Sequence, residues 1–251
     1  MKTALKSDVG LIRTVNEDRA VVQNRLNGFT LAIVADGMGG HQAGDIASQI
    51  AIDTVKRELQ NIEPGMSPEE CGQRIADAVR KANREVFEIA SSQEQYQGMG
   101  TTIVVALVSD ELIIIAHIGD SRAYKLDDEF MIQLTEDHSL VNELVKSGQI
   151  SPEEANSHPR RNVLTRALGT DEQVEVDLCI DAWKQEDVLL LCSDGLSSLL
   201  DDGQITAILR SGEELQSKAN LLVQSALQAG GDDNITVVLL ANVQADDEEK
   251  G

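Results

Sequence analysis

The chain has 251 residues, 41% hydrophobic and 25% charged, the balance of an ordinary globular protein long enough for one sizeable core. Its 43 Asp and Glu against 21 Lys and Arg give a formal net charge of −22, which disfavours general nucleic-acid binding and docking on anionic membranes, because both require basic patches. No apolar run reaches the about 18 residues needed to span a bilayer, and MKTALKSDVG at the start lacks a secretory apolar core.

Cys71, Cys179 and Cys192 are an odd number without C-x-x-C spacing. They read as small buried hydrophobes in a reducing compartment, so a cytoplasmic protein is expected. Three Phe, two Tyr and one Trp cannot build a base-stacking platform, and the core must come from Val, Ile, Leu and Ala.

In chain order, weak strands are expected at 3–6 and 19–23 and a strong one at 29–35 (FTLAIVA). Ala43, Ile46, Ala47, Ile50, Ala51, Val55 and Leu59 then share one helical face. Ile75, Val79, Ala82, Val86 and Ile89 do the same in a helix opened by Ser67-Pro68-Glu69-Glu70, with Ser as cap, Pro in the first turn and Glu70 closing a capping box. The runs 101–108 and 111–118, joined at Ser109-Asp110, predict an antiparallel hairpin. A weak strand follows at 122–126, a helix at 139–146 and a second capped start at Ser151-Pro152-Glu153-Glu154. Strands at 174–180 and 187–193, helices at 203–210 and 213–229, and a last strand at 234–241 complete the pattern. Strict βαβ alternation is absent, which points to an α+β chain of antiparallel sheets with helices packed outside. With no long linker and no repeat, 1–243 reads as one domain, and 244–251 (QADDEEKG) as a disordered acidic tail.

Four strand-like segments begin or end at an aspartate: Asp36, Asp120, Asp194, and the pair Asp232-Asp233. One such Asp is ordinarily a turn or a cap. Four at strand ends can converge, and converging carboxylates repel unless a cation sits among them. Oxygen ligands without His or Cys select Mg²⁺ or Mn²⁺ rather than zinc. DGMGGHQAG (36–44) is not a dinucleotide fingerprint, since Gln42 stands at the third glycine position, and no Gly-Lys-Ser/Thr follows. Met38 also removes the second acid of a phosphoaspartyl enzyme. The glycines instead allow close backbone approach, leaving a bare carbonyl such as that of Gly37 free to ligate. Arg13, in the run Arg13, Asn16, Glu17 and Asp18, could hold a phosphate by two parallel hydrogen bonds. His117 follows an apolar strand run and reads as core-facing or supporting, and His138 as a cap for the helix beginning at Ser139.

RTVNED (13–18), VADGMGGHQAG (34–44), GMGTT (98–102), AHIGDSRAY (116–124), TEDHSLV (135–141), LLLCSDGL (189–196) and GGDDNITVV (230–238) resemble, in this order, the metal-dependent protein phosphatases of type 2C. The resemblance covers nearly the whole chain and is nearest to small members from Gram-positive bacteria. It implies a four-layer αββα sandwich, two central antiparallel sheets flanked by helices. It further implies that Asp36 bridges two ions, Mn²⁺ or Mg²⁺, with the Gly37 carbonyl, Asp194 and Asp233 as the other ligands. Glu17 and Asp18 would stand in the adjoining shell, and Asp120 with Asp194 would hold a third, weaker ion. Arg13 matches the phosphate-binding arginine, 145–165 a flap beside the site, and Asn234 a residue that orients the last ligand.

Animal relatives often carry a His where Met38 stands, so His41 becomes the nearest candidate for general acid. The expected reaction is direct hydrolysis of phosphoserine or phosphothreonine in proteins, by a water that two cations acidify. The expected partners are phosphoproteins, including a membrane-anchored Ser/Thr kinase and its substrates, and the expected state is a monomer. A non-enzymatic module on the same fold would have lost acidic positions that are present here, and hydrolysis of small phosphorylated metabolites is the remaining alternative.

Overall fold

The computed structural model describes residues 1–39 and 43–243. The expected tail at 244–251 and His41 lie outside the described residues.

The elements run β1 (Lys2–Asp8), β2 (Asp18–Leu26), β3 (Phe29–Met38), α1 (Ala43–Leu59), α2 (Pro68–Ser92), β4 (Gly100–Thr101), β5 (Ile103–Val108) and β6 (Leu112–Ile118). They continue as β7 (Arg122–Leu126), β8 (Met131–Gln133), α3 (Leu140–Lys146), α4 (Pro152–Asn156), β9 (Asp177–Ala182) and β10 (Val188–Cys192). Three helices, α5 (Asp194–Ser197), α6 (Asp202–Leu209) and α7 (Leu215–Ala229), precede the last strand, β11 (Ile235–Ala241). One sheet has the order β1-β11-β10-β7-β8 and the other β2-β3-β5-β6-β9, with β4 pairing to β3. Every pairing is antiparallel.

Side-chain alternation explains the layers. In β3, Leu31, Ile33 and Ala35 join the core under α1 and α2, whereas Ala32 and Val34 join the core between the sheets. In β10 and β11, Leu190, Cys192, Val237 and Leu239 face α6 and α7, and Leu189, Leu191, Val238 and Leu240 face the opposite sheet. Strands buried on both faces read as continuous apolar runs. The result is the expected α+β four-layer sandwich.

The Ser67 box forms as expected: the Glu70 N–H donates to Ser67 Oγ at 3.2 Å and the Ser67 N–H to Glu70 at 2.8 Å. The hairpin pairs Ile103 with Ile118 through Val108 with Ile113. Other expectations shift. The strand expected at 174–180 begins only at Asp177, and β3 runs past Asp36 to Met38 because Gly37 and Met38 pair with Thr101 and Gly100. His138 does not cap α3; Ser139 does, its hydroxyl accepting the Asn142 N–H at 3.3 Å.

Candidate active site

The site lies where the two sheets end. Asp36 comes from β3, Asp120 follows β6, Asp194 opens α5 and Asp233 precedes β11. All four are half-buried, and with Arg13, Glu17 and Gly37 they line one cavity of about 200 Å³. Asn162 and Leu164, from the segment expected as a flap, complete its rim. A second cavity of about 510 Å³ adjoins it, sharing Asp120, Asn162 and Asp194 and running along α3, α4 and α6.

Backbone close approach builds the floor. A Cβ on Gly37 would lie 2.1 Å from the Gly44 carbonyl oxygen, and one on Gly195 would lie 2.0 Å from that of Asn234. Thr102 fixes Asp36: its Oγ1 accepts the Asp36 N–H at 3.0 Å, and its N–H donates to the Asp36 carbonyl at 2.9 Å. Thr102 Oγ1 also bonds Ser121 Oγ at 2.7 Å, next to Asp120. Asn234 joins the N-terminal loop to β11, accepting the Glu17 N–H at 2.8 Å and donating to the carbonyls of Val9 and Val15 at 2.9 and 3.0 Å. Its own N–H donates to Asp233 Oδ1 at 2.8 Å, so it also orients that carboxylate. Arg13 Nη2 donates to Asp233 Oδ2 at 2.8 Å.

Asp18 stands behind the cavity rather than on its wall. It is buried, and Ser193 Oγ donates to its Oδ2 at 2.7 Å. Glu17 is on the wall; burial raises its pKa, while the Gly44 N–H and Arg13 pull the other way. Thr102, Ser121 and Ser193 escaped the sequence reading. The Thr-Thr of GMGTT and the Ser beside each of Asp120 and Asp194 were the available signals.

Electrostatics set the character of the site. Burial, and then the charges of Asp18, Asp194, Asp120 and Asp233, push Asp36 well above the usual carboxylate range. Burial and the neighbouring charges of Asp194 and Asp137 raise Asp120 to about 8. Burial and Asp233 raise Asp194 to about 6, and burial raises Asp18 to about 7 against the Ser193 hydrogen bond. Asp194 Oδ1 and Asp18 Oδ1 are buried with no hydrogen-bond partner among the described residues. Such a cluster can ionise fully at neutral pH only around added positive charge. The small cavity has no His or Cys among its described lining residues. Its donors are therefore oxygens and suit hard divalent cations.

His117, His138 and Asp177 form a separate group whose nitrogen and oxygen atoms lie within 4.8 Å of one another. It already holds a cation, the Arg166 guanidinium, which donates to Asp177 Oδ1 at 2.6 Å.

A two-sheet sandwich with a carboxylate-lined cavity at its sheet ends suits a metal-dependent enzyme. The protein phosphatase 2C family model matches residues 13–229. The serine/threonine phosphatase stp of Listeria innocua is 41% identical over 96% of this chain and 95% of its own length. The S. agalactiae serine/threonine phosphatase structure superposes with a TM-score of 0.91 at 37% identity, covering 97% of this chain and 99% of that one. The catalytic domain of the phosphatase PstP, solved in complex with two manganese ions, gives 0.85 at 37% identity, covering 97% and 98%. The chain belongs to the protein phosphatase 2C family and is a hydrolase of phosphoproteins.

Proposed function

We propose that this chain is a serine/threonine protein phosphatase that releases phosphate from proteins phosphorylated by a bacterial membrane-anchored Ser/Thr kinase, the kinase included. It acts in the cytoplasm as a monomer, with residues 1–243 as one catalytic domain and 145–165 as a flap. The observation that carries this reading is the convergence of Asp36, Asp120, Asp194 and Asp233 on one small cavity, with Arg13 at its wall.

Asp36, the Gly37 carbonyl, Asp194 and Asp233 would hold two ions, Mn²⁺ or Mg²⁺, with Glu17 and Asp18 in the adjoining shell and Asp120 serving a third. When bound, such ions supply Lewis acidity and an acidified water. The protein's own groups do the positioning. Thr102 fixes the Asp36 backbone, Asn234 holds Glu17 beside Asp233, and Ser193 orients Asp18. Arg13 has donor N–H groups beyond the one spent on Asp233, and these can receive phosphate oxygens and stabilise charge in the transition state. In-line attack by water expels the serine or threonine oxygen, and His41 is assigned the proton that this oxygen needs, on sequence grounds alone. A His41→Ala enzyme with unchanged pH–rate behaviour on a phosphopeptide would remove that assignment. The adjoining 510 Å³ cavity gives a peptide room that a small metabolite does not require.

Phosphate release from a phosphorylated kinase domain should need Mn²⁺ or Mg²⁺, stop in EDTA and vanish in Asp36→Asn. Release that persists in EDTA, or faster turnover of sugar phosphates than of a phosphothreonine peptide, overturns the proposal.

A further inference from the structure

The turn that carries Asp120 passes through a glycine in a left-handed conformation. Gly119 has φ +102°, a conformation that side-chain-bearing residues rarely adopt, and a Cβ there would lie 2.6 Å from Thr102 Cγ2. Glycine is therefore required, and glycine is the residue with the most backbone freedom to lose. The pin comes from outside. The Gly119 N–H donates to His138 Nδ1 at 3.0 Å, and the His138 N–H donates back to the Gly119 carbonyl at 3.0 Å. Among the described residues no other side chain bonds the Gly119 backbone.

His138 is itself locked. It is buried at 8% exposure and stacks on His117, ring centroids 4.8 Å apart and 15° from parallel. Because Nδ1 accepts, the neutral ring carries its proton on Nε2, which faces Asp177 Oδ2 at 3.2 Å and also lies 3.1 Å from Arg166 Nη1. Arg166 Nη1 holds the other carboxylate oxygen of Asp177 at 2.6 Å and also donates to the Glu175 carbonyl at 3.2 Å. The far end of the imidazole is thus anchored to β9, and the near end is aimed at the amide one residue before Asp120. His117 Nε2 contacts the Glu136 backbone on both sides, at 2.8 and 3.2 Å, which holds the 136–138 segment against β6.

We infer that His138 is a positioning residue: through Nδ1 it fixes the Gly119 turn and so sets where the Asp120 carboxylate stands. The bearing on ion binding rests on the proposed role of Asp120, but the hold on the turn does not. Residues that orient a metal ligand commonly change affinity about tenfold or more when they are lost.

Two substitutions separate geometry from bulk. In His138→Asn the amide oxygen can stand where Nδ1 stood, whereas in His138→Gln it reaches toward the Nε2 position. Amide exchange at Gly119 in the metal-free protein should stay protected in His138→Asn and quicken about tenfold in His138→Gln. Calorimetric titration with Mn²⁺ should show the weakest step weakened about tenfold in His138→Gln, near the parent in His138→Asn and lost in Asp120→Ala, with the tighter steps unmoved. Equal Gly119 exchange in the Asn and Gln variants overturns the inference, as does an equal weak step once Asp120→Ala has shown that step to depend on Asp120. An Asp120→Ala protein that keeps every step overturns the third-ion reading instead, and Gly119 exchange still decides the role of His138. Should His138→Gln not fold, Asp177→Leu removes the far anchor; unchanged Gly119 exchange there counts equally against the inference.

Discussion

Asp18 and Asp36 are direct cross-strand partners in the β2–β3 ladder. Like charges placed opposite one another in a sheet destabilise it. Ser193 donates a hydroxyl to the Asp18 carboxylate, whereas the Thr102 hydroxyl bonds the Asp36 backbone and not its carboxylate. Without metal, the cluster keeps protons that ordinary carboxylates have lost at neutral pH; ions held there would replace those protons, which would link protein stability to metal binding.

The sign of that linkage can be worked out. Asp18, Asp36, Asp120 and Asp194 all have raised pKa values in the metal-free fold. Below about pH 4 each is protonated both folded and unfolded and costs nothing. From about pH 4 upward the unfolded state loses these protons while the folded state still holds them, so stability falls, and the fall levels off only above about 6 for Asp194, about 7 for Asp18 and about 8 for Asp120. In EDTA, the melting temperature should fall by roughly 5 °C or more between pH 5 and pH 8, and Mn²⁺ should flatten the slope. Asp36→Asn should melt higher than the parent at pH 8 in EDTA while having no activity. A lower melting temperature for Asp36→Asn under those conditions would contradict the account.

Arg13 and Asp233 form an ion pair whose side chains are 49% and 30% exposed. Exposed pairs contribute little to stability. Arg13→Ala should leave the melting temperature nearly unchanged but raise KM for a phosphothreonine peptide about tenfold. Arg13→Lys should recover only part of the loss, because a point charge lacks the two-pronged donor geometry. Steady-state kinetics on the three proteins decide the matter, and an unaltered KM in Arg13→Ala would count against phosphate binding there.

The cysteines should be silent. Cys71 and Cys192 are buried, and burial pushes the Cys192 thiol up to about 12. Burial also raises the partly exposed Cys179. Thiolates are scarce in such surroundings, and no reaction step needs one. Treatment with N-ethylmaleimide at pH 7 should leave phosphatase activity intact, and rapid inactivation would point to a thiol at the site.

Much of this was legible in the sequence because one local pattern coincided with the global geometry. An apolar β-run bordered by an acid marks both a buried strand and the place where it enters or leaves the core, and Asp36, Asp120, Asp194 and Asp233 all carry that mark. Short elements were not legible. β8, three residues at the edge of its sheet, has no period to detect, and α5 is a single turn. The sequence suggests only a helix cap for His138, since a His before a Ser-Leu start carries no sign that its ring turns back across 19 residues to Gly119. The Thr102–Ser121 hydroxyl pair is likewise a product of tertiary packing alone.

Asn234 gives the sharpest separation of stability from activity. It is 5% exposed, and its amide makes three hydrogen bonds: one accepted from the Glu17 N–H and two donated to the carbonyls of Val9 and Val15. These tie the loop that bears Arg13 and Glu17 to the root of β11, which bears Asp233. Asn234→Ala leaves one N–H and two carbonyls to find new partners, a loss of about 3 kcal/mol, or roughly 6–12 °C in melting temperature for a chain of this size. Asn234→Asp keeps the shape but turns two donated bonds into oxygen facing oxygen, and adds a negative charge beside Glu17 and Asp233. Its deficit relative to Asn234→Ala should therefore widen as pH rises from 5 to 8 and shrink when Mn²⁺ is added. Since the Asn234 side chain ties the loop bearing Arg13 and Glu17 to the root of β11, kcat/KM should drop more steeply in both variants than the folded fraction at the assay temperature. Calorimetric unfolding run beside steady-state kinetics measures both quantities. Activity that merely tracks the folded fraction would reduce Asn234 to a structural brace.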